Sequence, residues 1–291
     1  MCWCWARFSW VPPVADTSAG FPADGALRPL LIGFGRALGG ALIFSMPMLM
    51  TMEMWQLGFT VDRWRILILL VLSVPLLVFL SRYSGFETTR HLSEDVRDAM
   101  IALGIGLVSS SAVLALLAIL KPGMPMSEIV GKIALQTVPA ALGALLGRSQ
   151  LGRDARVGEQ EETYGGELLV MAVGALFLGL NVAPTEEMLL ISLKMSAMHC
   201  LLLVPVSMLI MHAFVYAAAF KGGTEIGPET AWWSAFVRFT VVGYVVALAV
   251  SAYVLWTFGR FDGLELAKAL RIVVVLAFPA AVGAAAARLI L

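Results

Sequence analysis

Eight stretches of nearly uninterrupted apolar residues follow one another along this 291-residue chain, at about 30–54, 66–81, 99–120, 127–147, 166–183, 197–220, 232–258 and 264–291. A hydrocarbon core about 30 Å thick is crossed by roughly 20 apolar residues in a helix, and the runs approach that length again and again. Mean hydropathy is +0.88, with 60% hydrophobic and only 14% charged residues, more than a soluble core of this size needs. The pattern predicts an all-α integral membrane protein of eight transmembrane helices. The second run is the shortest, so Arg65 and Arg82 at its ends would have to snorkel toward the interfaces.

Several classes are disfavoured. A formal net charge of zero provides no global basic field, so no nucleic-acid partner is expected. Cys2, Cys4 and Cys200 suggest neither a disulfide framework nor a zinc ligand set. The chain has no His-Glu-x-x-His, no Gly-x-Ser-x-Gly and no Walker-type loop, so neither an enzyme nor a cofactor is expected. Gly33, Gly35, Gly39 and Gly40 around Arg36 match a phosphate loop only in composition and read as helix-packing positions. Residues 1–29 hold Trp3, Trp5, Trp10 and four prolines without a continuous apolar run, and read as a cytoplasmic tail rather than a secretory signal.

Counted on alternate sides, twelve of the twenty Lys and Arg fall on the side of the two termini. The positive-inside rule then places both termini in the cytoplasm. Arg148 and Arg288 read as inner-interface anchors or contacts to anionic headgroups, which makes membrane lipids expected partners.

Self-comparison divides the chain. Pro139-Ala140-Ala141-Leu142-Gly143-Ala144 through Arg148 aligns without gaps on Pro279-Ala280-Ala281-Val282-Gly283-Ala284 through Arg288. Gly40-Ala41-Leu42 with Thr51, Glu53 and Met54 aligns on Gly174-Ala175-Leu176 with Thr185, Glu187 and Met188, and Val74-Pro75 matches Val204-Pro205. Three matches in one order predict a first four-helix repeat at 30–148, a linker at 149–165 and a second repeat at 166–291. Each half has an even number of spans, so the repeats would run parallel, about an axis along the membrane normal.

The duplication singles out carboxylates. Thr51-Met52-Glu53-Met54-Trp55 ends span one, and Asn181-Val182-Ala183-Pro184-Thr185-Glu186-Glu187 ends span five, both on the outward side. Carboxylates are hard oxygen ligands for cations, and acidic residues at membrane boundaries often line ion paths. Glu53 and Glu187, with Glu186, Thr51, Thr185 and Asn181, are therefore candidate ion-binding residues. Pro47 and Pro184 would break their helices and free carbonyl oxygens nearby. The plainer reading makes Thr185 an N-cap whose glutamates complement a helix dipole. His212 and Ser110 lie inside spans six and three. They could mark a proton or polar pathway, or else be a neutral histidine bonded to a neighbouring helix and a packing serine.

The Thr51-to-Trp55 and Asn181-to-Glu187 segments resemble the two signature stretches of a family of bacterial and archaeal integral membrane proteins. The resemblance runs from about Arg36 to the C-terminus. It implies the membrane class and a prokaryotic origin, but no activity. Phe44-Ser45 in an Arg-bearing first helix is also loosely similar to the Arg…Phe-Ser-Asp motif of the lysosomal-type potassium channel family. Met46 stands where that family has Asp, and Arg36 lies too far upstream, so no residue is carried over.

These readings lead to a cation channel or transporter of the bacterial inner membrane, as a single chain or a homo-oligomer. The competing expectation is a membrane interaction or assembly protein without transport, docking partners through its outward glutamates and charged inner loops. A lipid-modifying enzyme would need a buried polar cluster open to the bilayer, and no such signature is visible.

Overall fold

The computed structural model describes residues 23–84, 91–151, 164–219, 233 and 236–290, and every regular element among them is helical. Residues 1–22 of the tail, 152–163 of the linker and Trp232 lie outside the described residues. The elements are α1 (Ala23–Leu49), α2 (Met52–Thr60), α3 (Arg63–Ser84), α4 (Leu92–Leu116), α5 (Met126–Leu151), α6 (Tyr164–Val182), α7 (Glu186–Lys194), α8 (Ala197–Ala219), α9 (Phe236–Thr257) and α10 (Leu266–Ile290). The first six residues of α9, Phe236–Val241, form a π-turn before the α-helix proper. Eight of these helices are long and apolar enough to cross a bilayer, in agreement with the eight runs. The short second run becomes a full span, because the helix takes in Arg63, Trp64 and Arg65 before the apolar residues begin.

The two remaining helices, α2 and α7, have nine residues each, about 14 Å of helix and too little to cross. Span one was expected to run to residue 54. It stops at Leu49 instead, two residues beyond Pro47, where the chain leaves the helical conformation at Thr51. Thr51 then adopts an extended conformation (φ −95°, ψ 133°), and its hydroxyl donates to the Met48 carbonyl at 3.0 Å. The Trp55 indole N–H donates to the Leu49 carbonyl at 2.8 Å, so orphan carbonyls at the end of α1 are satisfied by side chains that follow. The end of α6 is built alike: Pro184 disfavours the helical conformation at Ala183, Thr185 is extended, and its hydroxyl donates to the Val182 carbonyl at 2.8 Å.

Packing follows the glycines. α1 lies chiefly on α5, and α6 on α10. A Cβ on Gly40 would stand 2.2 Å from the Gly143 carbonyl oxygen, and one on Gly174 would stand 2.1 Å from that of Gly283. Backbones can approach this closely only where side chains vanish, which is how apolar helices associate without a hydrophobic drive. α5 is the core of the first five elements, touching α1, α2, α3 and α4, and α10 plays that part for α6, α7, α8 and α9.

The two groups of helices touch sparingly, through α1 and α5 against α6 and through α3 against α6 and α9. Phe44 and Phe177 meet there with ring centroids 4.8 Å apart. On the face bearing α2 and α7, the turn after α9 reaches across this seam. Gly259 takes the left-handed conformation (φ 71°) that ends a helix, and the Arg260 N–H bonds back to Leu255 at 2.9 Å. That turn points Arg260 and Asp262 at their neighbours.

Candidate functional site

Arg260 is the centre of the charged groups on this face. Its guanidinium is partly buried and donates to the Pro184 carbonyl at the broken end of α6. Burial pushes the guanidinium below its usual range, while the charges of Glu186 and Glu53 act in the opposite direction. Glu53 sits in the first turn of α2 and is partly buried; Glu186 opens α7 and is exposed. Both also occupy the positive end of a helix dipole. One carboxylate from each group of helices therefore acts on a single cationic side chain.

A second contact lies beside it. Arg65, at the start of α3, makes two parallel hydrogen bonds of 2.9 Å to the two oxygens of Asp262 and one of 3.1 Å to the Trp256 carbonyl. Its guanidinium stands 5.5 Å from the Trp256 ring centre. The bonds from Arg65 hold the Asp262 carboxyl below the ordinary carboxylate range.

The other candidates are distributed around and away from this cluster. Glu187, the sequence equivalent of Glu53, is exposed at the second position of α7. The Thr51 and Thr185 hydroxyls donate back to α1 and α6 and do not cap α2 and α7. Asn181 donates from Nδ2 to the Phe177 carbonyl at 2.7 Å, and its Oδ1 is buried without a hydrogen-bond partner. His212 is bonded through Nδ1 to the Thr240 hydroxyl at 2.9 Å and meets the Phe236 ring edge-on, the pattern of a histidine tied to a neighbouring helix. Ser110 is fully buried in α4, and its hydroxyl has no hydrogen-bond partner.

Sequence reasoning passed over three residues that matter. Arg260 entered only as one charge among twenty. Lys132 lies inside an apolar run, yet its ammonium is 7% exposed and pairs with Glu128 at 2.7 Å. Gln136, one turn further along α5, is 1% exposed, and neither amide atom has a hydrogen-bond partner. The spacing 128, 132, 136 puts all three on one helical face, a signal readable in the sequence. Among the described residues no group of three or more His, Cys, Asp or Glu gathers in a metal-ligating set.

No curated protein and no solved structure matches the chain. One family model, described as "Putative integral membrane protein (DUF2391)", matches residues 33–291, from the first third of α1 to the C-terminus. With that match and eight helices long and apolar enough to span, the chain belongs to the DUF2391 family and is a multi-pass integral membrane protein.

Proposed function

We propose that the protein is a cation channel or transporter of the bacterial inner membrane. In this reading it is built from two parallel four-helix repeats with both termini cytoplasmic, and Glu53, Arg260 and Glu186 form its cation-attracting site at the outer face. The observation that carries the reading is that the charges of one carboxylate from each half, Glu53 and Glu186, act on a single, partly buried guanidinium without a direct ion pair. Three features support the repeat. The sequence-matched glycines Gly40/Gly143 and Gly174/Gly283 make the same close approach. The nine-residue helices α2 and α7 follow equivalent breaks. α5 and α10 play the same central role among their neighbours.

In a parallel-repeat transporter the working site lies between the halves, where one can rock against the other. The sparse seam between α1, α3, α5 and α6, α9 suits such motion, and the charges stand at its mouth. Arg260 acts as a resident counter-ion. An incoming cation competes with its charge for Glu53 and Glu186. Asn181 Oδ1 supplies a further neutral oxygen at the broken end of α6.

Flux measurements on purified protein in liposomes, run for Na⁺, K⁺, Ca²⁺, Mg²⁺ and H⁺, test the proposal. Saturable flux of at least one ion is expected, falling at least tenfold in the double variant Glu53→Gln, Glu186→Gln. Unchanged flux in that variant would sink the site, and no flux of any ion, with proteins co-purifying, would favour an assembly role.

A further inference from the structure

Between the two groups of helices, at mid-span depth, lies a crevice of about 160 Å³ lined by Leu69, Leu72, Ser73 and Leu76 of α3, Ala172 and Leu176 of α6, and Val250 and Tyr253 of α9. We infer that this crevice is a binding site for a single phospholipid acyl chain, inserted sideways from the bilayer into the seam. The inference is independent of the transport reading.

Its lining favours an apolar occupant, with the buried Tyr253 hydroxyl its one polar atom without a hydrogen-bond partner. The Ser73 hydroxyl is turned back onto the Leu70 carbonyl at 2.7 Å, and Tyr253 stacks on Trp256 with centroids 6.3 Å apart. The rest of the lining is aliphatic, and an apolar cavity of this size stays dry while accepting a hydrocarbon about as large as benzene. Leu69 to Leu76 spans about 10 Å along α3 and begins about 9 Å below the first residue of that helix, within the hydrocarbon layer. The rim is continuous with lipid-facing surface: Leu72 is 50% exposed and Val71 beside it 58%. Toward the α2/α7 face the crevice is roofed by the Tyr253–Trp256 stack and by Arg65 over Trp256. The bidentate bond to Asp262 leaves Arg65 no net charge to recruit a headgroup. A hydrocarbon chain arriving from the side is the occupant that this geometry accepts. It would fill the void between halves that touch little elsewhere.

The full chain in phosphatidylcholine–phosphatidylglycerol vesicles (3:1), with a trace of phosphatidylcholine bearing a photoreactive group in mid-acyl chain, provides the test. After irradiation, peptide mapping should find Leu69–Leu76 and Val250–Tyr253 labelled several-fold above Leu107–Val108 of α4 and Leu201–Leu202 of α8, apolar positions as exposed as the crevice rim at Val71 and Leu72. Filling the crevice with Ala172→Phe, or separately from α3 with Leu76→Trp, should reduce the crevice labelling to the α4 and α8 level without changing the latter. Monodisperse elution of each variant controls for folding. Uniform labelling of the four positions, or crevice labelling that survives both filling variants, would overturn the inference. So would labelling that appears only after removal of residues 1–22, or only when the protein is diluted to a monomer, because the tail or a second copy would then be the natural occupant.

Discussion

The close approach of α1 to α5 at Gly40 gives a sharp stability prediction. Replacing Gly40 by Ala places a Cβ 2.2 Å from the Gly143 carbonyl oxygen, 2.5 Å from the Gly147 Cα and 2.9 Å from its nitrogen. All three are backbone atoms, so no side chain can swing aside. Ordinary contact begins near 3.4 Å, so α1 and α5 must separate by roughly 1 Å at this point. Overpacking of this kind costs about 1–3 kcal/mol, and the rigid neighbours favour the upper part of that range. Alanine's better helix propensity returns about 1 kcal/mol, leaving a net loss on the order of 2 kcal/mol. Gly35, in the same helix, has nothing within 4 Å of its Cβ position, so Gly35→Ala keeps the propensity gain without the clash. Thermal unfolding in one detergent, followed by size-exclusion chromatography after heating, should place Gly40→Ala roughly 4–8 °C below the parent and Gly35→Ala at or slightly above it. Gly174→Ala should match Gly40→Ala, since its Cβ would meet the Gly283 oxygen at 2.1 Å. If Gly40→Ala and Gly35→Ala melt together, the glycine-mediated packing of α1 on α5 is wrong.

Other predictions address the charged and bonded pairs. Glu128→Gln leaves the buried Lys132 ammonium without its carboxylate and should destabilise by roughly 3 kcal/mol, whereas adding Lys132→Met should recover most of the loss in the same melting assay. Thr240→Val removes the hydroxyl bonded to His212 Nδ1 and should cost about 0.6–2 kcal/mol in the same assay, in the range of interhelical hydrogen bonds in membranes. The Asp262 carboxyl is held low by Arg65, so its contribution is present above the unfolded carboxylate pKa of about 4 and is lost as pH falls through the lower folded value. Melting curves from pH 6 to pH 3 should therefore show a smaller acid-induced drop in Asp262→Asn than in the parent. Ala118 holds a left-handed conformation (φ 56°) at the end of α4, where the turn after α9 has Gly259, and Ala118→Gly should raise stability by up to about 1 kcal/mol.

How much of this was legible follows from which forces act locally. The spans were readable because crossing a bilayer sets the length and apolarity of each run, residue by residue. The glycine contacts were half-visible: the self-matches named Gly40, Gly143, Gly174 and Gly283, although composition could not say that they would meet. The stop at Leu49 was harder than that at Val182, which lies one residue from the end of its apolar run, since Met52, Met54 and Trp55 continue the apolar pattern of α1. What marks the end of that helix is the extended backbone at Thr51, with the Thr51 hydroxyl and the Trp55 indole bonded to its last carbonyls, not a change of polarity. Arg260 escaped notice because its neighbours come from α2 and α7, distant in sequence, and a single loop arginine carries no periodic signal. The duplication pointed to Glu53 with Glu187, whereas the carboxylate acting on Arg260 beside Glu53 is Glu186. A one-residue step at a helix start turns a side chain by about 100°, more than a sequence alignment resolves.

The central claim is that Glu53, Arg260 and Glu186 form one site at which a passing cation competes with the resident guanidinium. The most direct measurement is the half-saturating cation concentration for flux in proteoliposomes, compared among the parent, Arg260→Gln and Glu53→Gln. Removing the competitor should lower that concentration several-fold in Arg260→Gln, and removing a carboxylate should raise it in Glu53→Gln. Half-saturation that stays the same in all three, or that moves in one direction for both variants, would contradict the account.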